Sequence, residues 1–150
     1  MSKPQQIIEL MEPFIKEGRL LPRSLETINN CVDDFVVIEN ENKIIACAGL
    51  KEYPKERTGE IYALVVSKNF HNTDTSSKLM HLLLDKASSM NLSSIFALSK
   101  YGGRFFFRFD FQEVELSCLP ESRQKSYDYE RSSKIYSRNL CVNMNHSFLK

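Results

Sequence analysis

Thr58–Ser77, T-G-E-I-Y-A-L-V-V-S-K-N-F-H-N-T-D-T-S-S, decides the fold. Its first half, Gly59–Val66, is rich in β-branched and aromatic residues and predicts a strand. A polar loop follows, and then Ser76–Met90, where Leu79, Met80, Leu82, Leu83, Ala87 and Met90 recur at helical spacing. Ser94–Leu98, S-I-F-A-L, predicts a short buried strand after that helix. Strand, helix and strand in this order predict a parallel βαβ crossover. The loop delivers backbone N–H groups to a helix N-terminus, which favours anions. Yet it contains neither glycine nor arginine, although phosphate cradles use glycine to let the backbone approach closely.

Upstream, Ile7, Ile8, Leu10, Met11, Phe14 and Ile15 predict a first helix with Pro13 inside it and Gly18 as its stop. Ser24 is placed to cap a second helix, Leu25–Asn30, with Leu25 and Ile28 on one face. Phe35–Glu39 and Lys43–Tyr53 flank Asn40-Glu41-Asn42 and predict an antiparallel hairpin. Downstream, Gly102-Gly103 opens R-F-F-F-R-F-D-F. Phe105, Phe106, Phe107, Phe109 and Phe111 predict a short helix running into a strand, Phe109–Leu116, with the phenylalanines as core. Leu119-Pro120-Glu121-Ser122 starts another short helix, and Ser133–Arg138 predicts a late strand. Residues 141–150 read as a loose tail. No repeat or linker divides the chain, so the expectation is one α/β domain.

The totals narrow the function. The chain has 150 residues, 42% of them apolar, and a net charge of +1. Its lysines and arginines are scattered, which argues against nucleic acid as a partner. No apolar run approaches the ~20 residues of a membrane span, and the N-terminus lacks a signal-peptide pattern. A cytoplasmic protein without a membrane partner is expected. Cys31, Cys47, Cys118 and Cys141 form no C-x-x-C pair and have no metal-like histidine spacing. Reduced thiols and no metal are therefore expected, with Cys47, inside I-I-A-C-A-G-L, as a small buried hydrophobe.

Several strings, taken in order, resemble the GNAT acetyltransferases and, within them, the acetyltransferase domain of the N-acetylglutamate synthase family. They are L-L-P-R-S at Leu20–Ser24, I-I-A-C-A-G-L-K at Ile44–Lys51, G-E-I-Y-A-L-V-V-S at Gly59–Ser67, I-F-A-L-S at Ile95–Ser99 and L-P-E-S-R-Q-K-S-Y-D-Y-E-R-S-S-K-I at Leu119–Ile135. The resemblance implies a mixed central sheet with flanking helices. It also implies acetyl transfer from acetyl-CoA to the α-amine of L-glutamate, a step of arginine biosynthesis, without a metal. By it, Arg23, Lys51, Arg131 and Ser133 hold the substrate carboxylates, as arginine forks and lysine point charges do. Glu60 takes the amine proton. Leu64, Val65 and Val66 offer backbone groups to the thioester. Ser99, with Tyr101 nearby, serves the departing thiolate. His71, Asn72, Thr73, Asp74, Thr75, Ser76 and Ser77 cover the coenzyme loop. The bland alternatives are surface cations, a strand-edge glutamate and a turn serine.

The match breaks on the donor side. Where the family has R/Q-x-x-G-x-G/A, this chain has His71-Asn72-Thr73-Asp74-Thr75-Ser76, with Asp74 and Ser76 at the glycine positions. Asp74 brings negative charge toward a pyrophosphate, which Lys68 or Lys78 would offset. The later R-G-F becomes Phe109-Asp110-Phe111. The sequence opens directly in the first helix, so the expectation is a fold without its first strand, either lost or supplied by a partner. A homo-oligomer or a separate regulatory subunit stays open as partner. The competing expectation is a non-catalytic relative that binds an amino acid or a protein.

Overall fold

The computed structural model describes residues 1–140; the expected tail and Cys141 lie outside them. The described chain opens on α1 (Lys3–Lys16), earlier than its apolar spacing predicts. A capping box explains the early start: Ser2 accepts from the Gln5 N–H while the Gln5 side chain accepts from the Ser2 N–H, satisfying two orphan donors. α1 runs through Pro13 and buries Pro4, Ile7, Met11 and Phe14. α2 (Leu25–Asn30) is capped by Ser24 as expected, but only Ile28 is buried, and Leu25 faces solvent.

β1 (Phe35–Asn40) and β2 (Lys43–Tyr53) pair antiparallel. Glu41 (φ 51) and Asn42 (φ 64) make the turn, and two successive left-handed residues match the twist of a tight hairpin. β3 (Thr58–Val66) pairs in parallel with β4 (Ser94–Ser99), and α3 (Thr75–Ser89) is the crossover between them. α3 buries a narrower stripe than its sequence suggests: Leu79, Met80, Leu83 and Ala87 are inside, while Leu82 is exposed.

α4 (Gly103–Arg108) leads to β5 (Gln112–Val114), shorter than expected. Asp110, at φ 65, turns the chain between them and sends Phe111 into the core. α5 (Glu121–Lys125) precedes β6 (Lys134–Asn139), which pairs antiparallel with both β4 and β5. The six strands are hydrogen-bonded in the order β1-β2-β3-β4-β6-β5, a mixed sheet with helices as expected.

The chain divides into two compact units. The first contains residues 1–50 and 62–84. Its core joins Ile7, Met11, Phe14, Ile28, Phe35, Ile44, Cys47, Ala63 and Val65. The second contains residues 51–61 and those from Asp85 on. Tyr53, Phe96, Leu119 and Ile135 form its core. Beside them Phe106 stacks on Tyr136 at 5.5 Å and packs against Phe111 at 5.2 Å. Phe107, in contrast, is 53% exposed, so the phenylalanine run is core only in part. Among the described residues no helix is long and apolar enough to cross a membrane.

Candidate functional site

In the second unit, strand alternation places Lys51 and Tyr53 on one face of β2. Lys51 Nζ lies 5.1 Å from the centre of the Tyr53 ring. The Tyr53 hydroxyl donates to Glu60 Oε1 at 3.0 Å. Arg123 Nε donates to the same oxygen at 2.9 Å, and Arg123 Nη1 donates to Ser126 Oγ at 3.0 Å. Glu60 is buried on β3, and a carboxylate out of water needs such partners to stay charged. Burial, and then the Glu60 charge, raise the Tyr53 phenol above its ordinary range, so it stays a donor. The cluster thus links two expected site residues, Lys51 and Glu60, through Tyr53.

Two of its members, Tyr53 and Arg123, were not expected. Tyr53 carried a signal, lying two residues from Lys51 on a strand. Arg123 lay inside the family-matching string Leu119–Ile135, but a contact between residues 63 apart leaves no trace in local spacing.

Ser99 Oγ accepts the N–H groups of Tyr101 (3.3 Å) and Gly102 (2.8 Å). A Cβ on Gly102 would stand 2.7 Å from that oxygen, so the turn requires glycine there. The turn reading of Ser99 holds, and its hydroxyl hydrogen is left to donate. Tyr101 is 74% exposed. Ser133 is buried, and its carbonyl accepts from the Tyr127 hydroxyl at 2.7 Å. Arg131 is half-buried, and its N–H donates to Asp128 Oδ1 at 3.0 Å.

In the first unit, the Arg23 guanidinium lies 5.4 Å from the centre of the Tyr62 ring, and Nη1 donates to the Leu21 carbonyl at 3.2 Å. The Tyr62 hydroxyl donates to Asp34 Oδ2 at 2.6 Å. Along β3, Ala63 adopts φ 51, a conformation that L-residues avoid at a cost of about 1–2 kcal/mol. The register of β3 with β4 ends just before it, at Ile61↔Ala97. Leu64, Val65 and Val66 follow this break, with Val65 and Val66 buried.

The loop holds itself together without glycine. His71 Nε2 lies 2.7 Å from the Val66 carbonyl oxygen. A carbonyl only accepts, so Nε2 carries the hydrogen. Thr73 Oγ1 donates to the Phe70 carbonyl at 2.6 Å, lies 2.8 Å from Thr75 Oγ1, and accepts the Thr75 N–H at 3.3 Å. Asn72 and Asp74 are exposed. Lys78, not Lys68, pairs with Asp74, at 3.6 Å. Lys68 turns to Glu17, whose carboxyl it holds below the ordinary range. Ser76 and Ser77 stand in the first turn of α3, where N–H groups have no partner within the helix. Among the described residues no cluster of His, Cys, Asp and Glu is built to hold a metal.

Residues 5–111 match the Acetyltransferase (GNAT) family. An amino-acid acetyltransferase of Photorhabdus laumondii is 35% identical over 134 residues, covering 89% of this chain and 30% of that protein. One from Buchnera aphidicola of Schizaphis graminum is 37% identical over 129 residues, covering 86% and 29%. The chain therefore spans about three-tenths of the length of the curated relatives it matches. The crystal structure of N-acetylglutamate synthase from Neisseria gonorrhoeae, complexed with coenzyme A and N-acetyl-glutamate, superposes with a TM-score of 0.87 at 33% identity. It covers 93% of this chain and 34% of that one. The chain belongs to the acetyltransferase (GNAT) family.

Proposed function

We propose that this chain transfers the acetyl group of acetyl-CoA to the α-amine of L-glutamate, releasing N-acetylglutamate and CoA, in the cytoplasm, with residues 1–140 as one catalytic domain. The observation that carries this reading is the fit to the Neisseria synthase, a protein crystallised with coenzyme A and N-acetyl-glutamate. The three free cysteines of the described chain, Cys31, Cys47 and Cys118, support a reducing compartment.

In this reading Arg23, Lys51, Arg131 and Ser133 bind the two carboxylates of glutamate. Glu60 receives a proton from the substrate ammonium, directly or through a water, and so exposes the nitrogen lone pair that attacks the thioester carbon. Arg123 and Tyr53 both donate to Oε1 of Glu60, which leaves Oε2 outside that pair for the incoming proton. A main-chain N–H of Leu64–Val66 stabilises the developing oxyanion. As the C–S bond breaks, the thiolate takes the proton that the acylated nitrogen gives up, helped by a hydrogen bond from the Ser99 hydroxyl. Two N–H donors already polarise its oxygen. His71 to Ser77 receive the pyrophosphate through the first turn of α3 and the Ser and Thr hydroxyls.

One observation favours a second reading: the loop is glycine-free and spends its hydroxyls on itself. A relative of this kind would bind an amino acid without using acetyl-CoA. Chromatographic detection of CoA, with glutamate compared against aspartate, glutamine and buffer, separates the two. The transferase reading expects glutamate-dependent CoA together with N-acetylglutamate in equal amounts. Glutamate binding without CoA release would replace it with the second reading.

A further inference from the structure

Tyr62 is fixed on several sides within its unit. Its ring covers Gly49 of β2 so closely that a Cβ there would come 2.5 Å from Tyr62 Cζ. Phe35 meets the ring edge-on, 5.5 Å between centres at 76°. The hydroxyl is tied to Asp34 Oδ2 at 2.6 Å. Burial, followed by the Asp34 bond, keeps the phenol protonated and therefore donating. The Arg23 guanidinium sits 5.4 Å from the centre of this immobilised ring.

We propose that Tyr62 is a positioning residue: seated over Gly49 and tied to Asp34, it holds the Arg23 guanidinium ready for a substrate carboxylate. The proposal rests on the reading of Arg23 as a glutamate ligand. Arginine has many rotamers, and ordering them when a ligand arrives weakens binding. A ring face attracts a guanidinium and limits its freedom beforehand. A carboxylate meets a guanidinium along its N–H edge, so a guanidinium held in one place by the ring offers a fixed direction of approach. Gly49 belongs to the device because any side chain there would push the ring away. The chemistry served is substrate recognition, not proton transfer.

The test compares wild type, Tyr62→Phe, Tyr62→Leu and Arg23→Ala, with Tyr62→Leu also made on the Arg23→Ala background. Loss of the ring in Tyr62→Leu should raise the glutamate KM about tenfold, the size of a partly desolvated cation–π contact, while the acetyl-CoA KM holds. Tyr62→Phe keeps the ring and should recover most of the loss. On the Arg23→Ala background, Tyr62→Leu should add nothing to the glutamate KM. An equal rise in both KM values, or a full additional effect on that background, overturns the proposal. Nuclear magnetic resonance of the Arg23 Nε–H gives a readout independent of turnover. Its signal should be shifted upfield by the ring in wild type and Tyr62→Phe, and the shift should vanish in Tyr62→Leu. An unchanged signal across the three overturns the platform even in an active protein. Wild type that releases no CoA with glutamate refutes the acetyl-transfer reading, and the Arg23 signal still decides whether the platform exists.

Discussion

Arg123→Ala removes the guanidinium from Glu60, and the structure fixes how much that should cost. The side chains of Arg123 and Glu60 are 18% and 11% exposed, and their contact is 2.9 Å. Breaking a fully buried ion pair from one side costs about 3–5 kcal/mol, whereas exposed pairs contribute about 0–1 kcal/mol. Here the pair is mostly out of water, but Glu60 keeps its Tyr53 bond and water can enter where the guanidinium was. The expected loss is therefore ~2–3 kcal/mol, below the fully buried range. With a urea m-value of ~2 kcal/mol/M, the unfolding midpoint falls by about 1–1.5 M. The neutral double swap Glu60→Gln with Arg123→Met should recover more than half of that loss, because it leaves no uncompensated charge. Urea titration followed by circular dichroism measures all three proteins. A loss under about 0.5 kcal/mol for Arg123→Ala, the size of a solvated pair, would refute the reasoning that Glu60 is a desolvated carboxylate held by two donors.

Glu60→Gln keeps the shape and the Tyr53 bond but cannot take a proton, so kcat should drop by about 10²–10⁴ with little change in acetyl-CoA affinity; a kcat within threefold of wild type removes Glu60 from the base role. Asp74→Gly with Ser76→Gly should tighten acetyl-CoA binding severalfold, as calorimetry would read, at a stability cost of about 1 kcal/mol, because glycine enters the first turn of α3 and the exposed Asp74–Lys78 pair adds only a few tenths; unchanged affinity means that the pyrophosphate lies elsewhere. Burial pushes the Cys47 thiol from 9.0 to about 12, so the unfolded chain loses that proton first. The corresponding stability is present below about pH 9 and lost as pH climbs toward 12, with Tyr53 and Tyr62 adding to the fall from about pH 10. Urea midpoints at pH 8.0 to 9.8 should decline in wild type and flatten in Cys47→Ala, and a flat wild-type profile would contradict the burial argument.

Elements with a strong local cause were legible in the sequence. Ser24 accepts the Thr27 N–H and sets the start of α2, and the β-rich run Lys43–Tyr53 became β2 without adjustment. The parallel crossover followed from one strand, one amphipathic helix and one apolar strand in order. Weak local signals misled. The box that starts α1 lies in polar residues outside the apolar stripe, and the phenylalanine run had no alternation to show that Asp110 would turn it.

The candidate site was legible as residue types at matching positions, but not as contacts. That Lys51 lies over Tyr53, that Tyr53 bonds Glu60 and that Arg123 closes on the same oxygen are tertiary facts. The left-handed Ala63 is another, because an alanine inside a strand-like run gives no hint of a break. The glycine-free loop shows the converse. Its composition announced a departure from the family pattern, and the structure shows how His71 and Thr73 hold the turn by side-chain bonds.

The most direct test of acetyl transfer by this chain is a calorimetric titration of the purified protein with acetyl-CoA, repeated in the presence of glutamate. Saturable one-to-one binding, followed by reaction heat and CoA release once glutamate is added, is the predicted result. Titration to millimolar acetyl-CoA with no binding, while glutamate alone binds, would contradict it.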